Sequence, residues 1–360
     1  MPARISGLVL AIAALALLGV YVSCQQSLGR ADYTDFSIVV LPDTQIYCSD
    51  YPDVFSNQTQ WIVDNSASRN IVFVTHEGDI VDTDIDSQQW QRANASMSKL
   101  DGHVPWGVCP GNHDGDWMDP LMYGWAMFNK CFGYARFNGQ SWYGGAYKNN
   151  YTGKFENANN YELFSGGGGD YIIFHFQYDP SDDVLAWANA TIRDYPGRRA
   201  IVTTHYYLGV NGNRSAIGNR IWERFIKYHT PQVFLVLCGH LSREARSTDI
   251  STGFNVYQIM ANYQGDVNGG NGLLRLLEFR PTENKIFVRT FSPYTNSYET
   301  DLDSEFTVDY VMTDEIPEFP QMFIMAMLLA STAATAIRCI RKYKHNASHE
   351  RKDSCEKSPI

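Results

Sequence analysis

The sequence predicts an α/β fold. Short apolar, β-branched runs recur along the chain, segments with helical spacing separate them, and the two kinds alternate from residue 36 onward. That alternation implies parallel strand pairing with helices on the sheet faces. In such sheets, ligands collect beyond the carboxyl ends of the strands.

The first run, Phe-Ser-Ile-Val-Val-Leu at 36–41, is stopped by Pro42 and reads as a buried strand. Residues 54–68 have helical spacing around Trp61 and Ile62, 71–75 form the next strand, 87–100 a helix and 104–109 a third strand. From 129 to 169 the pattern changes to Tyr, Gly, Asn and Phe and ends in four consecutive glycines. It reads as an insertion of aromatic loops with short strands. Strands at 171–176, 200–204 and 233–238 then alternate with helices at 183–195 and 215–228. Three strand-like runs, 254–260, 273–279 and 285–291, close the domain, and residues 301–318 read as an acidic, irregular stalk.

Of 360 residues, 44% are hydrophobic and 19% charged, the balance of a folded protein. A net charge of -10 argues against general nucleic-acid or anionic-membrane binding, so no stable nucleic-acid partner is expected. A phosphate substrate would need local positive charge, which divalent cations supply within an acidic protein.

Both ends read as membrane address labels. Arg4 precedes an apolar run over 5–22 that ends at Ser23-Cys24, so residues 1–30 are expected to be a signal peptide or signal-anchor. Residues 319–339 approach the length of a transmembrane helix. Arg338, Arg341, Lys342 and Lys344 and the basic, polar tail at 340–360 orient it with the catalytic bulk outside the cell. Glu315-Ile316-Pro317-Glu318-Phe319-Pro320, followed by this helix and basic cluster, resembles archaeal sorting signals that open with Pro-Glu-Phe, which implies an archaeal cell surface. Sequons at Asn57, Asn94, Asn150, Asn189 and Asn213 fit a glycoprotein. Of seven cysteines, Cys48, Cys109, Cys131 and Cys238 lie inside the domain. Cys238 is expected to be a buried free thiol, and Cys109 with Cys131 is a candidate disulfide.

The residues that carry chemistry sit at strand tips. Asp43 is a hard anionic ligand, and Gln45, two residues on, points to the same side of an extended chain. Asp79 follows an apolar strand and Gly78, which permits a tight turn, so its carboxylate can bridge two cations. Asp82 reads as a turn or helix-capping residue, with ligation as the alternative. In Gly111-Asn112-His113-Asp114, the amide of Asn112 offers a neutral oxygen, His113 is placed to donate a proton, and Asp114 is expected to fix its tautomer. His205 and His240 each close a strand in the later half of the domain and read as ligands. His76 is a reserve ligand or support, His175 a core residue, and His229 sits near a helix C-terminus, where a cation is favoured.

Together, Asp43-x-Gln45, Gly78-Asp79 with Asp82, Gly111-Asn112-His113-Asp114, His205 and Gly239-His240 resemble the calcineurin-like metallophosphoesterases, over residues 36–291. The opening Leu41-Pro42-Asp43-Thr44-Gln45 is similar to a branch in which Gln replaces the usual second-position His. The resemblance implies a four-layer α/β/β/α sandwich with two divalent metal ions between its sheets. One ion would take Asp43, Gln45 and the bridging Asp79; the other would take Asp79, Asn112, His205 and His240. It also implies that metal-bound hydroxide attacks phosphorus while His113 protonates the leaving oxygen. The expected substrate is a small phosphodiester or a nucleotide. In one respect the chain departs from the family: Gly-His-x-His is usual, and Ser242 stands where the last imidazole belongs. The first site then has oxygen donors only, which favours Mn²⁺ or Mg²⁺ over Fe or Zn²⁺. His76, Asp82 and Ser242 are the auxiliary candidates to complete it. A degenerate family member that binds phosphorylated or glycan ligands without turnover, or a structural cell-envelope protein, are the alternatives.

Overall fold

A computed structural model describes residues 33–115, 125–150 and 152–313. The expected signal or anchor at 1–30, the transmembrane helix at 319–339 and the tail at 340–360 lie outside the described residues. Among the described residues, no helix is long and apolar enough to cross a membrane.

The strands are β1 (Phe36–Leu41), β2 (Ile71–His76), β3 (Trp106–Val108), β4 (Tyr143–Lys148), β5 (Phe155–Gly166), β6 (Gly169–Phe176) and β7 (Arg199–Thr204). They continue with β8 (Val233–Cys238), β9 (Arg243–Ser251), β10 (Phe254–Asn262), β11 (Leu274–Arg280), β12 (Lys285–Ser292), β13 (Ser297–Glu299) and β14 (Glu305–Asp309). Two seven-stranded sheets result. One runs β13-β12-β11-β1-β2-β3, with β14 also paired to β12; the other runs β4-β5-β6-β7-β8-β10-β9. Pairing is parallel along β1-β2-β3 and along β6-β7-β8-β10, as the alternation predicts. Elsewhere it is antiparallel, including β11 against β1, so each sheet is mixed.

The result is a mixed α/β sandwich of two sheets. Period-two side-chain alternation explains why the strands read as unbroken apolar runs. Phe36, Ile38 and Val40 of β1 face the layer between the sheets. Val39 and Leu41 face the other way, into the cluster that holds helices α2 (Pro52–Asn65) and α3 (Ser87–Met97). In the second sheet, Ile201, Leu235 and Leu237 face inward. Val202, Val236 and Cys238 pack against α6 (Asp182–Arg193) and α7 (Ala216–Arg224). Burying one such side chain contributes about 1.5–3 kcal/mol, so both faces of these strands are fixed by packing. The remaining helices are short: α1 (Gln45–Ser49), α4 (Ala126–Phe132) and α5 (Tyr134–Phe137).

Three expectations are corrected here. The aromatic stretch at 129–169 is less loop than expected: beside strands, the edge strand β4 and its inner neighbour β5, it holds α5 and the end of α4. Its rings pack inward, with Phe132 and Phe137 buried against Trp106 at centroid distances of 5.9 and 4.8 Å. The acidic stretch from 301 contains β14, hydrogen-bonded to β12, because Phe306 and Val308 alternate with polar residues. Cys109 and Cys131 are free thiols; Cys109 is buried and points its Sγ at the His76 carbonyl, 3.7 Å away. Cys238 is the buried free thiol expected.

A polar seam crosses the apolar interior. His175 Nδ1 lies 2.7 Å from Glu162 Oε2, and its Nε2 lies 2.8 Å from Thr75 Oγ1. Thr75 on β2 meets Thr203 on β7 at 3.0 Å, which joins the two sheets two residues before Glu77 and His205. His175 is thus a satisfied core histidine.

Candidate metal centre

Five strand ends meet at one rim. Asp43 and Gln45 follow β1, Asp79 follows β2, Asn112 follows β3, His205 follows β7 and His240 follows β8. The turns are tight. A Cβ on Gly78, whose φ is 96°, would stand 2.6 Å from the Gly111 nitrogen, and one on Gly239 would stand 2.1 Å from Asp43 Oδ1. Asp79 and His240 adopt left-handed φ of 48° and 73°, a conformation costing on the order of 1–3 kcal/mol outside glycine. Both are clamped there: Thr44 N–H donates to the Asp79 carbonyl at 3.0 Å, and His240 N–H donates to Asp43 Oδ1 at 3.3 Å.

The donor atoms converge on His205. Its Nδ1–H donates to the Glu77 carbonyl at 2.9 Å, which leaves Nε2 facing the site. Around Nε2 stand Asp79 Oδ2 at 3.1 Å, Asn112 Oδ1 at 3.2 Å and His240 Nδ1 at 3.2 Å. Asp79, His205 and His240 offer ligand atoms within 4.8 Å of one another, a spacing that fits one cation. Electrostatics agrees. Burial alone would depress the His205 pKa, but the Asp79 and Asp43 carboxylates overcome it and hold the ring up at about 10. Burial would likewise raise Asp79, and the facing His205 brings it below the usual carboxylate range. The rim therefore demands positive charge at that point. His240 is pushed down to about 4, by burial and then by His205, so it presents a neutral ring with a lone pair.

Asp43 is buried, and burial pushes its carboxyl well up. Its Oδ2 accepts from the Asn262 amide at 2.6 Å. Gln45 donates through Nε2 to Asp82 Oδ1 at 3.1 Å, while its Oε1 is buried with no hydrogen-bond partner in the described structure. An orphaned buried carbonyl oxygen next to Asp43 fits the donor set of a hard cation.

The supporting residues differ from their sequence readings. Asp114 does not touch the His113 ring. Its Oδ1 accepts from the backbone of Ile80 and Val81 at 2.8 and 3.0 Å, and its Oδ2 from Gly111 at 2.8 Å, so it ties the Asp79 loop to the Asn112 loop. The His113 tautomer is set instead by the Asp82 carbonyl, which accepts from Nδ1 at 2.8 Å. Asp82 is therefore a brace that orients Gln45 and His113. It is not a helix cap; Asp86 caps α3. His76 is excluded from ligation because both ring nitrogens are used: Nε2 on Thr44 Oγ1 at 3.0 Å and Nδ1 on the Gly78 N–H at 3.1 Å. Burial holds it neutral, near 3. His229 is also neutral rather than cationic, pushed to about 4 by burial and Arg193. Ser242 lines a cleft of about 400 Å³ with Glu244, Asn262 and Asp266.

Residues missed by the sequence reading are Asn262, Glu77, Tyr178 and Tyr206. Asn262 ends β10, beyond where the apolar run stops. Glu77 is 1% exposed, and burial followed by Asp43 pushes its carboxyl well up. Tyr206 lies beside His240 with ring centroids 4.3 Å apart.

With that geometry in view, the likeness to known proteins has a specific meaning. The family profile "Calcineurin-like phosphoesterase" matches residues 36–243, and the chain belongs to that family. A Bacillus subtilis (strain 168) protein, "Uncharacterized protein YvnB", is 40% identical over 277 residues, which cover 74% of this chain and 21% of that protein. The chain thus spans about a fifth of that relative's length. Among solved structures, a purple acid phosphatase from yellow lupin is 13% identical with a TM-score of 0.45, over 79% of this chain and 55% of that one. YfkN, a calcineurin-like phosphoesterase from Bacillus subtilis, is 13% identical with a TM-score of 0.39, over 76% of this chain and 88% of that one.

Proposed function

We propose that the chain is a metal-dependent phosphoester hydrolase acting on small phosphodiesters or nucleotides. The observation that carries this reading is the ring of acceptors around His205 Nε2, set beside the buried, unpaired Oε1 of Gln45. Asp79, Asn112, His205 and His240 would hold one divalent cation; Asp43, Gln45 and the shared Asp79 would hold a second. Such cations supply Lewis acidity to a phosphoryl oxygen and a more acidic bound water. The second set has oxygen donors alone, which favours Mn²⁺ or Mg²⁺.

The chain's own residues do the rest. Glu77 and Asn262 orient His205 and Asp43 through the hydrogen bonds given above. His113 keeps Nδ1–H on the Asp82 carbonyl, so in the protonated ring the second proton sits on Nε2, free to pass to the leaving oxygen. The catalytic domain is proposed to lie on the extracellular side, from the apolar terminal runs and the sequons in the sequence.

The test is hydrolysis of bis- and mono-p-nitrophenyl phosphate by the full chain after chelation and return of Mn²⁺. His113→Ala should keep its metal and lose turnover. Metal-independent turnover that survives His113→Ala would sink the reading. Ser242 motivates the second reading, a ligand-binding relative without turnover; stoichiometric metal with no hydrolysis of either ester would favour it.

A further inference from the structure

The histidine side of the site is walled by two tyrosines that the metal chemistry does not use. Tyr206 directly follows His205, and its ring lies 4.3 Å from that of His240. Tyr178 follows β6, with its ring 5.4 Å from His240 and 5.9 Å from His205. The two tyrosine rings are 6.1 Å apart and within 11° of parallel. Their burial is unlike that of their neighbours. Tyr207 and Leu208 are wholly buried in the core of the second sheet, whereas Tyr206 and Tyr178 are half-buried and outside every core cluster. The turn after β7 therefore sends one tyrosine into the core and leaves the next to it at the rim, against a ligand histidine. The Tyr178 N–H donates to the Pro110 carbonyl at 3.0 Å, which fixes its backbone to the loop bearing Asn112 and His113.

Aromatics of the 129–169 stretch are engaged elsewhere: Phe132 and Phe137 sit in the core, and Tyr134 stacks on Phe155 at 4.6 Å. An aromatic platform against the candidate ligand histidines is thus supplied by Tyr206, next to His205 in sequence, and by Tyr178, whose ring lies 5.4 Å from that of His240. Stacking on such a surface discriminates by ring, since every planar π-face binds and an alkyl chain does not gain the same contact.

We propose that Tyr206 and Tyr178 determine specificity by holding a planar ring of the substrate against the histidine side of the site. The preferred ligand is then a phosphoester whose ring, nucleobase or aryl, lies within a few bonds of phosphorus, ahead of alkyl or bare sugar phosphates. This rests on the phosphoesterase reading, and binding measured apart from turnover separates the two.

Calorimetry on the full chain with Mn²⁺ would compare two ligand pairs. AMP against ribose 5-phosphate isolates the base; p-nitrophenyl phosphate against methyl phosphate isolates the aryl ring. The wild-type chain is expected to bind the ring-bearing member of at least one pair about 5- to 100-fold more tightly; which pair responds tells nucleoside from aryl. Tyr206→Leu should collapse that ratio towards one while ribose 5-phosphate and methyl phosphate bind as before, and Tyr206→Phe should preserve it. Equal affinity within both pairs, or a ratio unchanged by Tyr206→Leu and Tyr178→Leu, overturns the platform. Ring-selective binding without hydrolysis keeps the platform and removes the hydrolase reading.

Discussion

The half of the site built around His205 and the half built around Gln45 differ in donor chemistry and in how firmly their donors are held. His205 is pinned by a backbone carbonyl and faces a carboxylate, an amide and a second imidazole at 3.1–3.2 Å. Among the described residues, Gln45 is oriented by a side-chain contact to the partly exposed Asp82, and the position expected to complete its half holds Ser242 at the edge of an open cleft. Backbone-held imidazole should bind tightly and with preference for borderline metals. Side-chain-held oxygen should bind more weakly and prefer hard ones.

The largest effect is expected from Asp79→Ala, since its carboxylate is the ligand proposed to be shared by both halves. Elemental analysis should show metal lost from both, with turnover gone; two retained ions would mean the halves do not share a ligand. Next comes His113→Gln, where kcat should fall roughly 10²- to 10⁴-fold with metal content unchanged. A parallel loss of metal would make His113 part of the binding set. Asp82→Ala should weaken metal affinity about 10- to 100-fold in the Gln45 half alone, because it removes the partner that aims Gln45. Equal weakening of both halves in a metal titration would erase the distinction. The smallest change is expected from Ser242→His. A restored imidazole should tighten the Gln45 half by about tenfold, or about 1.4 kcal/mol, and shift its preference from Mn²⁺ towards Zn²⁺; no shift would place that side chain outside the site.

The contrast also explains what could be read from sequence. Residues Asp43, Asp79, His205 and His240 announce themselves because each ends an apolar run buried on both faces, and such runs are visible in one dimension. Asp114, Asp82 and Asn262 act through partners distant in sequence: Asp114 reaches Ile80, and Asn262 reaches Asp43 across 219 positions. Nothing local marks them, so Asp114 looked like a partner for its neighbour His113. Strand β9 was missed for a related reason. Its sequence, Arg-Glu-Ala-Arg-Ser-Thr-Asp-Ile-Ser, is mostly polar because it forms the solvent-facing edge of its sheet. The aromatic stretch misled in the opposite direction, since its glycines and asparagines looked like loops while its rings were building core.

The neighbours of β1 have a consequence for how the chain reaches this state. The strand that leads into Asp43 is flanked by β2 on one side and by β11, more than two hundred residues later, on the other. As the polypeptide leaves the ribosome, that first strand keeps an open edge until residues 274–280 emerge, well after the family-matched stretch has been made. Closure of the first sheet is therefore a late, long-range event in biosynthesis. A nascent chain arrested before residue 274 should expose a sticky β edge that the finished protein conceals.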